Sequence, residues 1–166
     1  MNKRVRQYLG LLSAVIAYYL IHEGAHLVYA LLTGTFRQIN IMGLGVQIDV
    51  YAEKMTDMQL GLFCLAGPMA TATTAWLLTG FTDMVVQAKS KVFRACMYYI
   101  TIAMLFLDPA YLCGIYRLVG GGDMNGISLL LPEAAVQVFS GALLIVHVVV
   151  FWKRILPQYK KSFERG

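Results

Sequence analysis

The run YLGLLSAVIAYYLIHEGAHLVYALL, residues 8–32, decides how this chain is read. It holds 25 residues, and apart from Ser13 its strongly polar side chains are only His22, Glu23 and His26. About 20 consecutive apolar residues suffice for a helix to cross the hydrocarbon core of a bilayer. Ionisable groups inside such a helix are costly and mark a site, a proton relay or an ion path. On a helix, residues 22 and 26 lie about 40° apart and about 6 Å along the axis. Both imidazoles can therefore reach one metal ion. Glu23 lies about 100° round from His22, where it can meet a metal-bound water without ligating the metal. His22-Glu23-Gly24-Ala25-His26 is an HExxH motif, and its chemistry is zinc plus a general base. The plainer alternative is a buried polar network or a proton relay.

The rest of the chain fits that setting. Of 166 residues, 58% are hydrophobic and 14% charged, against about a quarter charged in ordinary soluble domains. Mean hydropathy is +0.62. An integral membrane protein forming a single domain, residues 1–166, is expected. The net charge of +5 sits in clusters at residues 1–6, 89–94 and 153–165, each beside an apolar segment. Membrane proteins place basic residues there, so nucleic acid is not an expected partner. Cys64, Cys96 and Cys113 are too scattered for a disulfide framework or a CxxC pair and read as small buried hydrophobes. Lys3, Arg4 and Arg6 before an apolar run imitate a signal peptide. The run is too long for one, and cleavage would discard HExxH, so a retained first helix is expected.

Four apolar stretches are long enough to span: residues 8–32, 58–81, 92 to about 116, and 134–152. The third is interrupted by Asp108-Pro109, and the fourth is entered through Pro132. Between the first two the period changes. Gln38 and Asn40 alternate with Ile39 and Ile41, and after Gly43-Leu44-Gly45, Gln47 and Asp49 alternate with Val46, Ile48 and Val50. A period of two either side of a glycine turn predicts a β-hairpin, whose free edge could pair with an extended substrate. The expected fold is an all-α, four-helix transmembrane bundle with a short β-hairpin after the first helix. With the N-terminus inside, cytoplasmic segments hold eleven Lys and Arg, and the opposite side holds three, Arg37, Lys54 and Arg117. That bias puts both termini in the cytoplasm and the histidines in the outer half of the first span. The expected location is multi-pass, in a bacterial plasma membrane.

A catalytic zinc site usually has three protein ligands. The third can be His147, Asp108, Asp123 or Glu133. Asp123 ranks first, because Gly120-Gly121-Gly122 before it and Gly126 after it allow a sharp break that aims a carboxylate into the bundle. Asp108 precedes a proline and reads as a residue that shapes or neighbours the site. His147, on an apolar helix, reads as a hydrogen-bonded structural residue.

With these residues in view, the chain resembles the site-2 proteases, polytopic zinc metalloproteases that cleave within or near the membrane. The resemblance rests on the motif at residues 22–26, the hairpin pattern, Ala66-Gly67-Pro68 in the second span and a later aspartate beside glycine. It implies His22 and His26 as zinc ligands, Glu23 as catalytic base, and an aspartate as third ligand, which Asp123 matches best. The family commonly has Asn-x-x-Pro shortly before Leu-Asp-Gly. Here Asp108-Pro109 is the nearest counterpart, and Met124 stands where glycine would follow the aspartate. The expected activity is endopeptidase cleavage, by Glu-assisted attack of a zinc-bound water, of a membrane-embedded or membrane-adjacent protein. With no soluble sensor domain, selection would fall to the bundle, the hairpin or a partner protein. Two other classes remain: a non-catalytic scaffold or regulatory protein with a structural zinc closed by four ligands, and a small transporter using Glu23, Asp108 and His147 as a proton path.

Overall fold

In the computed structural model, which describes residues 2–43 and 45–165, four long helices pack against one another, with a two-stranded hairpin beside the first. Helix α1, Lys3–Thr33, starts where the Asn2 side chain accepts from the Arg4 N–H at 3.2 Å and stops at Gly34, with φ 68°. Glycine enters that left-handed region without the Cβ clash other residues meet. Strands β1, Phe36–Met42, and β2, Gly45–Val50, pair antiparallel, with Ile39 opposite Ile48 and Asn40 opposite Gln47. The expected hairpin is present; Leu44 of its turn lies outside the described residues.

Helix α2, Asp57–Gly80, is fixed at its start by a reciprocal cap between Thr56 and Gln59 and carries Pro68 in its interior. The short α3, Thr82–Val86, leads to α4, Lys91–Ala110. The interruption expected at Asp108-Pro109 is milder than a break. Pro109 stays within α4, the chain widens into a π-turn over Tyr111–Ile115, and α5, Tyr116–Val119, completes the same apolar segment. Proline cannot donate to the carbonyl four residues back, here that of Leu105. That carbonyl instead accepts from Nδ1 of His147 at 2.6 Å, so the helix continues without an orphaned acceptor. Helix α6, Gly122–Ile127, follows; then α7, Glu133–Val150, passes through a second π-turn, Phe151–Ile155, into α8, Leu156–Glu164.

Four helical segments, Lys3–Thr33, Asp57–Gly80, Lys91–Val119 and Glu133–Glu164, are long and apolar enough to cross a membrane. Much of their apolar surface faces outward. Leu20 is 70% exposed, Leu32 82% and Phe139 71%, a pattern compatible with a bundle whose solvent is itself apolar. The interior has two apolar clusters. One, near the hairpin, is built on Phe63, Leu112, Met124 and Ile127; the other, at the opposite end, on Ala75, Met104, Leu105, Ile155 and Tyr159. Of the cysteines, Cys64 is buried as expected, whereas Cys96 and Cys113 are half-buried, and none is paired.

Candidate metal centre

His22 and His26 are both buried on the face of α1 that meets α2 and α4. Their approach to α2 depends on a missing side chain. A Cβ on Gly67 would stand 2.5 Å from Nε2 of His26 and 2.7 Å from Nε2 of His22. The two rings therefore fill the place a larger residue would take. Asp123 arrives from the first turn of α6, after Gly120, whose φ of 100° turns the chain back from the end of α5. Its carboxylate lies 3.1 Å from Nε2 of His22 and 3.4 Å from Nε2 of His26, and the two Nε2 atoms are 3.2 Å apart. Donors sharing one tetrahedral zinc at about 2.0–2.1 Å would stand about 3.3 Å from one another. The spacing matches.

The hydrogen-bonding of the rings bears on the same point. Nδ1 of His26 meets the Phe63 carbonyl oxygen at 2.7 Å, so that nitrogen carries the hydrogen. Nδ1 of His22 meets a carboxylate oxygen of Asp108 at 3.2 Å and donates likewise. With both hydrogens committed there, two Nε2 lone pairs and a carboxylate converge on one point, an arrangement that could hold a cation. Asp123 supplies the oxygen donor, as a carboxyl group whose ordinary pKa is about 4. At neutral pH it is an ionised ligand. The donor set, two nitrogens and one oxygen, suits zinc.

Behind this trio stands a supporting set. Asp108 accepts from the Tyr18 hydroxyl at 2.6 Å and from Thr71 Oγ1, so its carboxylate is anchored by two helices, α1 and α2, while it orients His22. Tyr18 also stacks on the His22 ring, with centroids 5.2 Å apart. Glu23 turns to the hairpin, where Oε2 accepts from the Ile48 N–H at 3.0 Å. A cavity of about 510 Å³ opens beside the trio, lined by Glu23, His26, Ile48, Gly121 and Asp123 among others.

Among the four candidates for a third donor, Asp123 alone joins the histidines in a metal-holding group among the described residues. Asp108 neighbours the site through His22. His147 donates to backbone at Leu105 and its Nε2 has no partner, so no hydrogen-bonded path links it to Asp108 among the described residues. Glu133 is exposed and held by Tyr116 and Arg117. Sequence reasoning missed Tyr18 and Thr71. Both carried a signal: Tyr18 is four residues before His22 on the same helical face, and Thr71 stands four after Gly67. No family model, curated protein or solved structure matches the chain.

Proposed function

We propose that the chain is a zinc-dependent endopeptidase acting on peptide bonds within or next to a membrane, in the manner of the site-2 proteases it resembles in sequence. In this reading His22, His26 and Asp123 hold the metal and Glu23 is the catalytic base. The observation that carries it is the convergence of three lone-pair donors, with no fourth His, Cys or carboxylate in the group among the described residues, beside a cavity that Glu23 lines. A purely structural zinc would be closed by a fourth protein ligand.

Bound there, a zinc ion would supply Lewis-acid polarisation of the scissile carbonyl and acidify a water molecule. The protein's own groups do the rest. Asp108 and the Phe63 carbonyl keep the Nδ1 hydrogens of His22 and His26 in place, which leaves each Nε2 free to ligate. Glu23, leaving the Ile48 N–H, takes the proton of the attacking water and passes it to the departing amine. The Ile48 N–H points away from β1 and towards Glu23, so the outer edge of β2 faces the cavity. An extended substrate segment adding to that edge would present its backbone to the site. The substrate in this reading is a membrane-embedded or membrane-adjacent protein, with a partner protein able to assist its selection. The chain crosses the plasma membrane of a bacterium four times, with both termini cytoplasmic.

The test is cleavage of a transmembrane peptide by purified protein, with metal analysis, for wild type and Glu23→Gln. The variant should keep its zinc and lose about 10²-fold or more of the rate. Undiminished cleavage by that variant overturns the reading.

A further inference from the structure

At the end of the bundle away from the hairpin, the guanidinium of Arg94 is buried with no carboxylate beside it among the described residues. Arg94 is 8% exposed. Its Nη1 donates to the Ser162 carbonyl oxygen at 2.9 Å, and its guanidinium faces the Phe163 ring at 5.6 Å. No acidic group lies within ion-pair distance of it among the described residues. Its Nε has no hydrogen-bond partner among the described residues. Buried charges are normally paired, because desolvation alone is costly. Arg94 also sits in the first turn of α4, where the helix dipole is positive and disfavours a cation.

The surroundings add to the imbalance. Arg94 lines a cavity of about 630 Å³ with Asp83, Gln158, Lys161, Ser162 and Arg165. Four buried side-chain polar atoms lack a partner among the described residues, and three of them, Arg94 Nε, Gln158 Oε1 and Ser162 Oγ, belong to residues of this cavity. Its one carboxylate among the described residues, Asp83, leans instead to Arg154 at 3.7 Å. The guanidinium groups of Arg94 and Arg165 and the Lys161 ammonium around one concavity form a donor set for phosphate oxygens. The α4 axis separates Arg94 from Asp108 by about 21 Å, so this is not part of the metal centre. Trp152, 63% exposed near the same end, is of the kind that sits at the headgroup level.

We propose that the cavity around Arg94 binds a phosphate group, as carried by an anionic phospholipid headgroup or as free phosphate. Basic pockets between helix ends on one membrane face take anionic headgroups in this way.

The test follows the thermal unfolding midpoint of the full chain in neutral detergent at constant ionic strength. Phosphatidylglycerol is titrated into the micelles, phosphatidylcholine is the control lipid, and sodium phosphate is compared with sodium chloride. A saturable rise with phosphatidylglycerol but not with phosphatidylcholine supports the site and assigns it to a lipid. A rise with inorganic phosphate supports it and assigns the free anion. Each cation near an anionic surface contributes about fivefold in affinity, so the exposed pair K161Q/R165Q should raise the half-saturating concentration about 25-fold. Lys54→Gln, at the hairpin end, should leave it unchanged. Arg94→Gln should abolish the rise, and should it not fold, the exposed pair still decides. A flat midpoint with both phosphatidylglycerol and phosphate, equal rises with the two lipids, or an unchanged half-saturation in K161Q/R165Q overturns the proposal.

Discussion

Gly67 of α2 lies directly beneath the His26 ring: a methyl group at that position would stand 2.5 Å from Nε2. Gly67→Ala must therefore push both imidazoles off the point where they meet Asp123. Overpacking of this kind costs about 1–3 kcal/mol. We expect loss of stoichiometric zinc together with a lower unfolding midpoint. Gly24→Ala is the matched control, since nothing lies within 4 Å of a Cβ there and alanine is favoured over glycine in a helix by about 1 kcal/mol. It should bind zinc as the wild type does and unfold no earlier. Full zinc in Gly67→Ala would mean that the rings do not need this cradle.

Asp108 and Asp123 touch opposite nitrogens of His22, and the two should separate in a metal titration. Asp123→Ala removes a donor from the trio, whereas Asp108→Asn leaves the trio whole but loosens the ring behind it. Partners of this second kind are worth about 10–100-fold in metal affinity. The expected order is a larger loss for Asp123→Ala than for Asp108→Asn, with competition against a chromophoric chelator as the readout. The reverse order would exchange their roles.

His147 should prove indifferent to metal. Its Nδ1 serves the Leu105 carbonyl that Pro109 leaves without a helical donor, and the ring lies edge-on to Trp76 at 5.4 Å. Replacing it with alanine strands a buried acceptor, at a cost of about 1–3 kcal/mol, and we expect an earlier thermal transition with unchanged zinc content. Zinc loss in a variant that remains folded would contradict this assignment.

Much of this was legible before any coordinates. The length and apolarity of residues 8–32 gave the first helix, and alternation around Gly43 gave the hairpin, because both depend on local periodicity. Asp123 was legible through its glycines, which restrict where a chain can turn. Other features depended on contacts far apart in sequence. Nothing near Pro109 reveals that a histidine 38 residues later, His147, supplies the missing donor. Nor does Ala66-Gly67-Pro68 by itself disclose that two rings from another helix rest on its glycine. The interruption expected at Asp108-Pro109 is milder for the same reason: Pro109 stays inside the helix, and the irregular turn comes just after it, at Tyr111–Ile115.

The convergence of His22, His26 and Asp123 also bears on stability. Two imidazole lone pairs and an ionised carboxylate within 3.4 Å of one another repel unless a cation lies among them. A ligand that binds only the folded chain stabilises it by about 2.7 kcal/mol at a hundred times its dissociation constant. Chelation of the purified protein should therefore lower its unfolding midpoint, and added zinc should restore it. Glu23→Gln should behave as the wild type does, since Glu23 bonds to Ile48 and not to the trio. A His22→Ala, His26→Ala double variant should show no response to chelator or zinc. A midpoint that ignores chelator in the zinc-loaded wild type would remove the metal from the account of how this bundle is held together.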